Sequence, residues 1–542
     1  MKGRFALWGL LGAVVVMSGS VIALRAFIGP LPFHMNSPMN AESVFGLGLI
    51  LMLLARSKAD EKGEHPQCSR LQILALGAAL IVITAAAFWS TLGFYFLSDD
   101  FILINYARAR PDLRALFTVG GGDGFFRPVG YLSLSWNSLW ASFHPAIWHA
   151  SALVWHIANS LLVFGLALQI CTSRSAAFFA AALFAIHGSR PEAVAWISSH
   201  FDRASAFFFL SGLILFIHSL RKTARPRLCR VLSLACMILA ILSKEAAFVF
   251  PGVLFLFLLQ QKVEASSAGC RKDAALGRYR PLIPFLAVAA LLFVYRWWLF
   301  GGIGGYRDMQ TGRPAIGMTG FVSAAKVLLF RLWAVLFFPI NWKAQPGFFF
   351  SILLTLSMGA LCWMAFSRCS RKRLVFPLGF VLLAALPPLH LLLIGSDLQK
   401  SRLLYLPSVG FCLLLGLAVE TMTPRMRLLV PGALMMFHLA ALAHNLDGWA
   451  YASEKARDAC TQAARHIGPG TRKIVVAGLP GSLDGIAFFA NGFPECVQMR
   501  RKGLPVSIEL RPESKQVASE DNVPLLRWDS SARELRSGET GK

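Results

Sequence analysis

Apolar runs of about 18–25 residues recur from residue 5 to residue 446, each parted from the next by a short polar loop. They lie near 5–24, 41–55, 71–97, 146–171, 176–187, 204–220, 231–243, 246–260, 281–299, 321–340, 348–366, 374–394, 403–420 and 428–446. Lipid offers no hydrogen-bond partner, so a chain crossing it repeatedly must bond its own backbone within each segment, which leaves helices. The expected fold is an all-α polytopic membrane protein of about 12–14 spans, some short enough to need extension or re-entry. Composition agrees: 56% of residues are hydrophobic and 15% charged, where a soluble chain carries about 25% charged.

The formal net charge of +25 would suggest nucleic acid in a soluble protein. Here the Lys and Arg residues gather in short loops at 56–70, 172–175, 221–230, 262–280, 367–373 and 424–427. Basic short loops stay on the cytoplasmic side, so the charge reports orientation and nucleic acid is not an expected partner. Segments 98–145, 188–203, 300–320 and 395–402 then fall outside. Segment 321–340 must be re-entrant or interfacial if 367–373 is to remain inside. Residues 5–24 lack a small-x-small cleavage site and another apolar run follows at 44–55, so they need not be a cleaved signal.

The membrane region is expected to occupy 1–446, with a first external loop at 98–145 too long for a mere connection. That loop holds a short helix (99–110), a Gly-rich turn at Gly120, Gly121, Gly122 and Gly124, and the Phe126-Arg127-Pro128 break. No strand precedes the glycines and no Lys-Ser/Thr follows, so they read as a linker rather than a phosphate loop. Residues 447–510 read as a small extracytoplasmic α/β region, with helices at 452–466 and 485–500 and strands at 472–478 and 505–510. Residues 511–542 read as a disordered tail. Ten cysteines show no metal spacing; Cys460 and Cys496 can pair if the tail faces an oxidising compartment.

Ionisable residues stand at the edges of the apolar runs: Asp99 and Asp100, Arg190 and Glu192, Asp202 and Arg203, Lys244 and Glu245, Arg402. Asp, Lys and Arg each cost about 2.5–3.5 kcal/mol at the centre of a membrane helix, so they collect at helix ends or at function. The loop assignment puts all of these clusters on one, non-cytoplasmic face, as a single active site requires. Each also has a plain structural reading. Ser98-Asp99-Asp100 is a good helix start, Lys244 and Glu245 can pair at a hairpin tip, and charges at a hairpin mouth can snorkel. His149 and His156, seven apart on one helix face, read as packing or interhelical hydrogen-bonding residues.

Five stretches, in order, resemble a known family. AIHGSRPEAVAW at 185–196 resembles the HP-x-R/H-x-E-x-V-A-W motif of multi-spanning GT-C glycosyltransferases, especially bacterial relatives of the transmembrane and tetratricopeptide-repeat O-mannosyltransferases. The acid pair in FLSDDFILINYAR and the FFRPV step resemble that family's first external loop. HPAIWHASALVWHIANSLLVF matches a family helix at His149, His156 and Asn159. Ser243-Lys244-Glu245 matches an SKE step, and SRLLYLPSVGF an R-Y-L-Y-L-P-S step. Gly188 stands where the family has proline, Ser-Ser-His-Phe replaces an arginine-rich stretch before Asp202, and no tetratricopeptide repeats follow.

The resemblance implies an integral, multi-pass protein of a bacterial inner membrane. It would move a sugar from a polyprenyl-phosphate donor to a hydroxyl of a protein or glycan acceptor, with inversion, at the extracytoplasmic face. Such a transfer needs a carboxylate to take the acceptor proton and cations to meet the charge growing on the leaving phosphate. Asp99 is the expected base with Asp100 as runner-up, since sequence cannot separate adjacent acids. Arg127, Arg190, Lys244 and Arg402 are candidates for the lipid phosphate. His187, Glu192, Asp202 and Glu245 would orient the acceptor. A divalent metal is compatible with these residues, but no spacing demands one. The competing reading is a secondary transporter or lipid-linked sugar flippase, which would place charges at midplane on broken helices within inverted repeats; no half-to-half correspondence is found.

Overall fold

The computed structural model describes residues 2–29, 38–56, 70–110, 112–118, 125–221, 225–267, 277–305, 320–343, 347–365, 369–468, 470–501, 506–512 and 523–537. The Gly-rich turn at 120–124 and the basic loops at 57–69 and 268–276 lie outside them.

The protein is a polytopic helical bundle with a small sheet at its C-terminal end. Among the described residues seven helices are long and apolar enough to cross a membrane: Gly9–Ile28, Arg70–Gly93, Pro145–Ile170, Ile197–Ser219, Pro226–Ser243, Tyr279–Phe300 and Pro424–Arg465. Five shorter apolar helices join them: Pro38–Leu54, Arg174–Ile186, Glu245–Gln261, Phe348–Met364 and Pro407–Glu420. The two shortest of these are also the most enclosed. Arg174–Ile186 is Ala-rich and every residue from 179 to 186 is buried, as is every residue of 407–419 in the helix beside it. Small residues allow that approach: a Cβ at Gly410 would lie 2.6 Å from the carbonyl oxygen of Pro377. Large apolar side chains on the outer helices face outward instead, Phe349 at 81% and Trp298 at 73% exposure, as lipid-facing positions should.

Segment 321–340 is an interrupted helix, α over Phe321–Lys326, π over Val327–Arg331 and α over Leu332–Phe337. The 98–145 loop carries three helices, of which two matter below: α1 (Asp99–Arg108) and α2 (Pro128–Ala141). Two later helices also position the site, α3 (His200–Ser219) and α4 (Pro424–Arg465).

Three expectations for the C-terminal region need correction. The span at 428–446 and the helix at 452–466 are one helix, α4, of 42 residues. At 1.5 Å per residue it runs roughly 63 Å, about twice the hydrocarbon thickness. The change of composition at 446 falls inside this helix, not at a turn of the chain. The expected helix at 485–500 is instead a hairpin, β2 (Ser482–Leu483) with β3 (Ile486–Ala487), followed by α5 (Phe493–Arg501). Asp484 and Gly485 turn it with positive φ, which breaks any helix there. The disordered reading of 511–542 gives way at 525–537. Strands β5 (Leu525–Asp529) and β6 (Glu534–Ser537) complete a sheet ordered β4-β1-β5-β6 with β1 (Lys473–Ala477) and β4 (Ser507–Arg511), burying Leu526 and Trp528.

A disulfide joins Cys460 of α4 to Cys496 of α5, with Cα atoms 5.9 Å apart. Alkylation of the purified, unreduced protein is expected to spare these two cysteines while modifying others such as Cys229. Mass spectrometry showing both Cys460 and Cys496 alkylated would contradict it.

Candidate active site

The 98–145 loop is pinned from below by Asp100. This side chain is 1% exposed and accepts hydrogen bonds from the backbone N–H of Leu97 (3.1 Å) and of Ser198 (2.8 Å). Burial pushes its carboxyl up to about 8, against the pull of those N–H donors, and the charge of Asp99 adds to the push. Asp99, one residue earlier, points the other way. It is half-buried and accepts a 2.7 Å hydrogen bond from Asn491 Nδ2. The two acids that sequence could not separate are thus one that locks the loop and one that solvent or substrate can reach.

Asp100 gives a pH prediction. Its folded-state value lies above the ordinary 3.8, so its favourable contribution is complete below that value and is lost as pH rises through about 8. Asp100→Asn removes the titration. The melting temperature of wild type in detergent should therefore fall relative to Asp100→Asn between pH 4 and pH 9; parallel curves would contradict this.

Trp196 links the loop to the second cluster. Its indole N–H donates to Leu97 O (3.2 Å), and the Arg402 guanidinium lies 4.2 Å over its ring. Glu192, which is buried, then anchors the Arg402 segment. Its carboxylate accepts from the backbone N–H of Lys400 (3.2 Å) and Arg402 (3.0 Å) and from Ser401 Oγ (3.1 Å). Burial pushes Glu192 upward, and the Arg402 charge and these donors pull it back. Asp99, Asp100, Glu192 and Arg402 therefore belong to one contiguous set of contacts.

The third cluster lines a cavity of about 100 Å³ of water-accessible space. Arg127, at the start of α2, forms a two-pronged pair with Glu245, at 2.9 Å and 2.6 Å. Lys244 meets Asp202 of α3 at 2.6 Å. Arg296 approaches Glu245 at 3.9 Å and donates to Ile303 O, which holds the turn at 301–305 against the opening. Three cations thus face two carboxylates, with the half-buried His390 beside them. The remaining wall is largely apolar: Ala384, Pro387, Pro388, Leu391, Leu403 and Leu406. The arrangement suits an anion at the head of an aliphatic chain.

Asp202, Lys244, Glu245 and Arg127 are brought together, then, and the charge of Arg402 is close enough to act on Lys244. Arg190 and His187 are not. Arg190 is fully buried, donates to Phe184 O and Ser408 Oγ, and has its guanidinium 4.4 Å over the Phe184 ring. His187 is equally buried between Ser189 Oγ and Leu336 O, with its ring 4.5 Å from that of His438. Both tie helices together. His156 does the same, bonding Tyr405 Oη and Ala185 O.

Sequence reasoning missed Arg296, His390 and Asn491. Arg296 carried a signal, a lone cation in the apolar run YRWWLF. His390 and Asn491 carried none. Among the described residues no three His, Cys, Asp or Glu side chains group closely enough to hold a metal ion.

No protein-family model matches the chain. It is similar in sequence to protein O-mannosyl-transferase TMTC4 of Mus musculus, 24% identical over 348 residues, covering 54% of this chain and 46% of that protein. It is similar also to TMTC1 of Homo sapiens, 24% identical over 335 residues, covering 53% and 38%. The chain spans less than half the length of these relatives. Among solved structures, the oligosaccharyltransferase AglB of Archaeoglobus fulgidus, in complex with an inhibitory peptide and a dolichol-phosphate, aligns with a TM-score of 0.44 at 14% identity over 81% of this chain and 64% of that one. ArnT of Cupriavidus metallidurans, bound to undecaprenyl phosphate, aligns with 0.41 at 11% identity over 86% and 94%.

Proposed function

We propose that the chain is a membrane glycosyltransferase moving a sugar from a polyprenyl-phosphate donor to an acceptor hydroxyl at the extracytoplasmic face. The observation that carries this is the cavity where Arg127, Lys244 and Arg296 outnumber Asp202 and Glu245 beneath an apolar wall. A lipid phosphate would seat its charge on the cations and its first isoprene units along Pro387, Pro388, Leu391 and Leu406. Asp99 is half-buried on the loop that Trp196 bonds through Leu97 O, which leaves its carboxylate open to an acceptor.

The chemistry is then an in-line displacement. The acceptor O–H gives its proton to Asp99 as its oxygen attacks the anomeric carbon from the face opposite the phosphate. The carbon–oxygen bond to the phosphate breaks, configuration inverts, and polyprenyl phosphate leaves with the electron pair. Negative charge grows on the phosphate as that bond breaks, and cations fixed in a largely apolar wall stabilise it far more than water would.

Two further facts support the sidedness and the sugar. The Cys460–Cys496 disulfide belongs to the region whose turn touches Asp99, and disulfides persist in oxidising compartments. The relatives are named as protein O-mannosyl-transferases, which makes mannose the first sugar to try. Purified protein in detergent, given polyprenyl-phosphate mannose and a Ser/Thr-rich peptide, should release one polyprenyl phosphate per mannose transferred. Mannose crossing a vesicle membrane still attached to its lipid, with no bond broken, would overturn the proposal in favour of a flippase.

A further inference from the structure

Among the described residues the C-terminal region meets the 98–145 loop along α5 and at the turn at 488–492, and the hydrogen bonds of that turn to the loop fall on Ser98 and Asp99. Ser98 N donates to Phe488 O (2.9 Å). Asn491 N donates to Ser98 Oγ (3.3 Å), and Asn491 Nδ2 donates to Asp99 Oδ1 (2.7 Å). Gly492 has φ +82, and a Cβ there would collide with the Ser98 carbonyl oxygen, so only glycine admits this approach. The rings of Phe101 and Phe489 stack 6.0 Å apart behind the turn.

Ser98 itself has φ 48 and ψ −119, a conformation strained for a non-glycine residue that persists only where surroundings impose it. The surroundings are this turn on one side and Asp100 on the other. Asp100 fixes where α1 begins; the turn fixes which way the preceding carboxylate points. Asp99 has a single side-chain hydrogen bond among those described, and it comes from residue 491, nearly 400 positions later.

We propose that Asn491 is a positioning residue for the carboxylate of Asp99, and that the C-terminal region serves the active site by presenting it. This rests on the assignment of Asp99 as the base. An amide N–H on Oδ1 leaves Oδ2 to face the acceptor hydroxyl, so the proton-accepting atom is held in one rotamer rather than shared between two. The region is then part of the catalytic architecture, held to the bundle by α4 and the disulfide.

The test is a double-mutant cycle in the intact chain with polyprenyl-phosphate mannose and the Ser/Thr-rich peptide. Asn491→Leu should lower kcat by about 10- to 100-fold, the scale of a misplaced catalytic group, with donor KM unchanged. Asn491→Gln, which keeps the donor, should recover part of the loss. In an Asp99→Asn background Asn491→Leu should have no further effect, because its action runs through the carboxylate. Equal losses in both backgrounds, or an unchanged kcat in a folded Asn491→Leu protein, would overturn the inference. Should Asn491→Leu fail to fold, Asn491→Asp, isosteric and repelling Asp99, takes its place in the cycle with the same two outcomes. Full activity in Asp99→Asn alone would instead remove the base assignment, a separate failure.

Discussion

Asp99→Asn is expected to lower sugar transfer by about 10²–10⁴-fold while leaving donor binding nearly unchanged, the range that loss of a general base produces. The substitution keeps the shape of the side chain and its place beside Asn491, and removes only the ability to accept a proton. Asp100→Asn is the necessary comparison. Asp100 is sealed beneath the loop by Leu97 N–H and Ser198 N–H, with no path for an acceptor hydroxyl to its oxygens. Its substitution should show in the pH dependence of melting and lower transfer far less. Transfer rates under saturating donor, with donor binding followed separately, decide between them. An active Asp99→Asn beside a dead Asp100→Asn would reverse the two roles.

The second large effect is expected at Lys244. Its ammonium and the Asp202 carboxylate meet at 2.6 Å with about one-tenth of each side chain exposed. Lys244→Met leaves Asp202 as an uncompensated buried charge, which costs about 3–5 kcal/mol of stability where such pairs have been broken. It also removes one of three cations from the cavity, and a lost electrostatic contact of this kind costs about 10²–10³ in rate. Adding Asp202→Leu separates the two. Replacing both partners by apolar groups is often neutral for stability, so the double variant should melt near wild type. Transfer should stay low, because the cation is still missing. A double variant that regains both melting temperature and transfer would show that the pair only holds helices together.

The architecture was readable because its cause is written in every segment: apolar runs of bilayer length between basic loops dictate a helical bundle. The clustering of Arg127, Asp202, Lys244 and Glu245 was readable for a related reason. Charges are costly in lipid, so those retained at the edges of spans on one face tend to meet. The same rule misplaced Arg190 and His187. Backbone carbonyls, aromatic rings and hydroxyls engage those two inside the bundle, and nothing in a one-dimensional string distinguishes a charge that faces a cavity from one that caps the end of a neighbouring helix.

The split between Asp99 and Asp100 illustrates the limit more sharply. Successive residues at a helix start point in different directions, so one faces the bundle and the other the solvent. Which is which depends on Ser198 and Asn491, roughly 100 and 390 positions away. The tail failed differently. Strands β5 and β6 are short and lie in polar surroundings, and their burial of Leu526 and Trp528 depends on β1 being already in place. The β5–β6 hairpin is antiparallel and local, but its pairing with β1 is parallel and distant, which leaves no local signal.

The central claim is tested most directly by a structure of the Asp99→Asn protein, stalled before transfer, with polyprenyl-phosphate mannose bound. The account predicts the phosphate within hydrogen-bonding reach of Arg127, Lys244 or Arg296, the isoprene chain along Pro387, Pro388 and Leu391, and the anomeric carbon turned toward residue 99. A phosphate seated on the basic loops between spans, or a sugar facing away from α1, would contradict it.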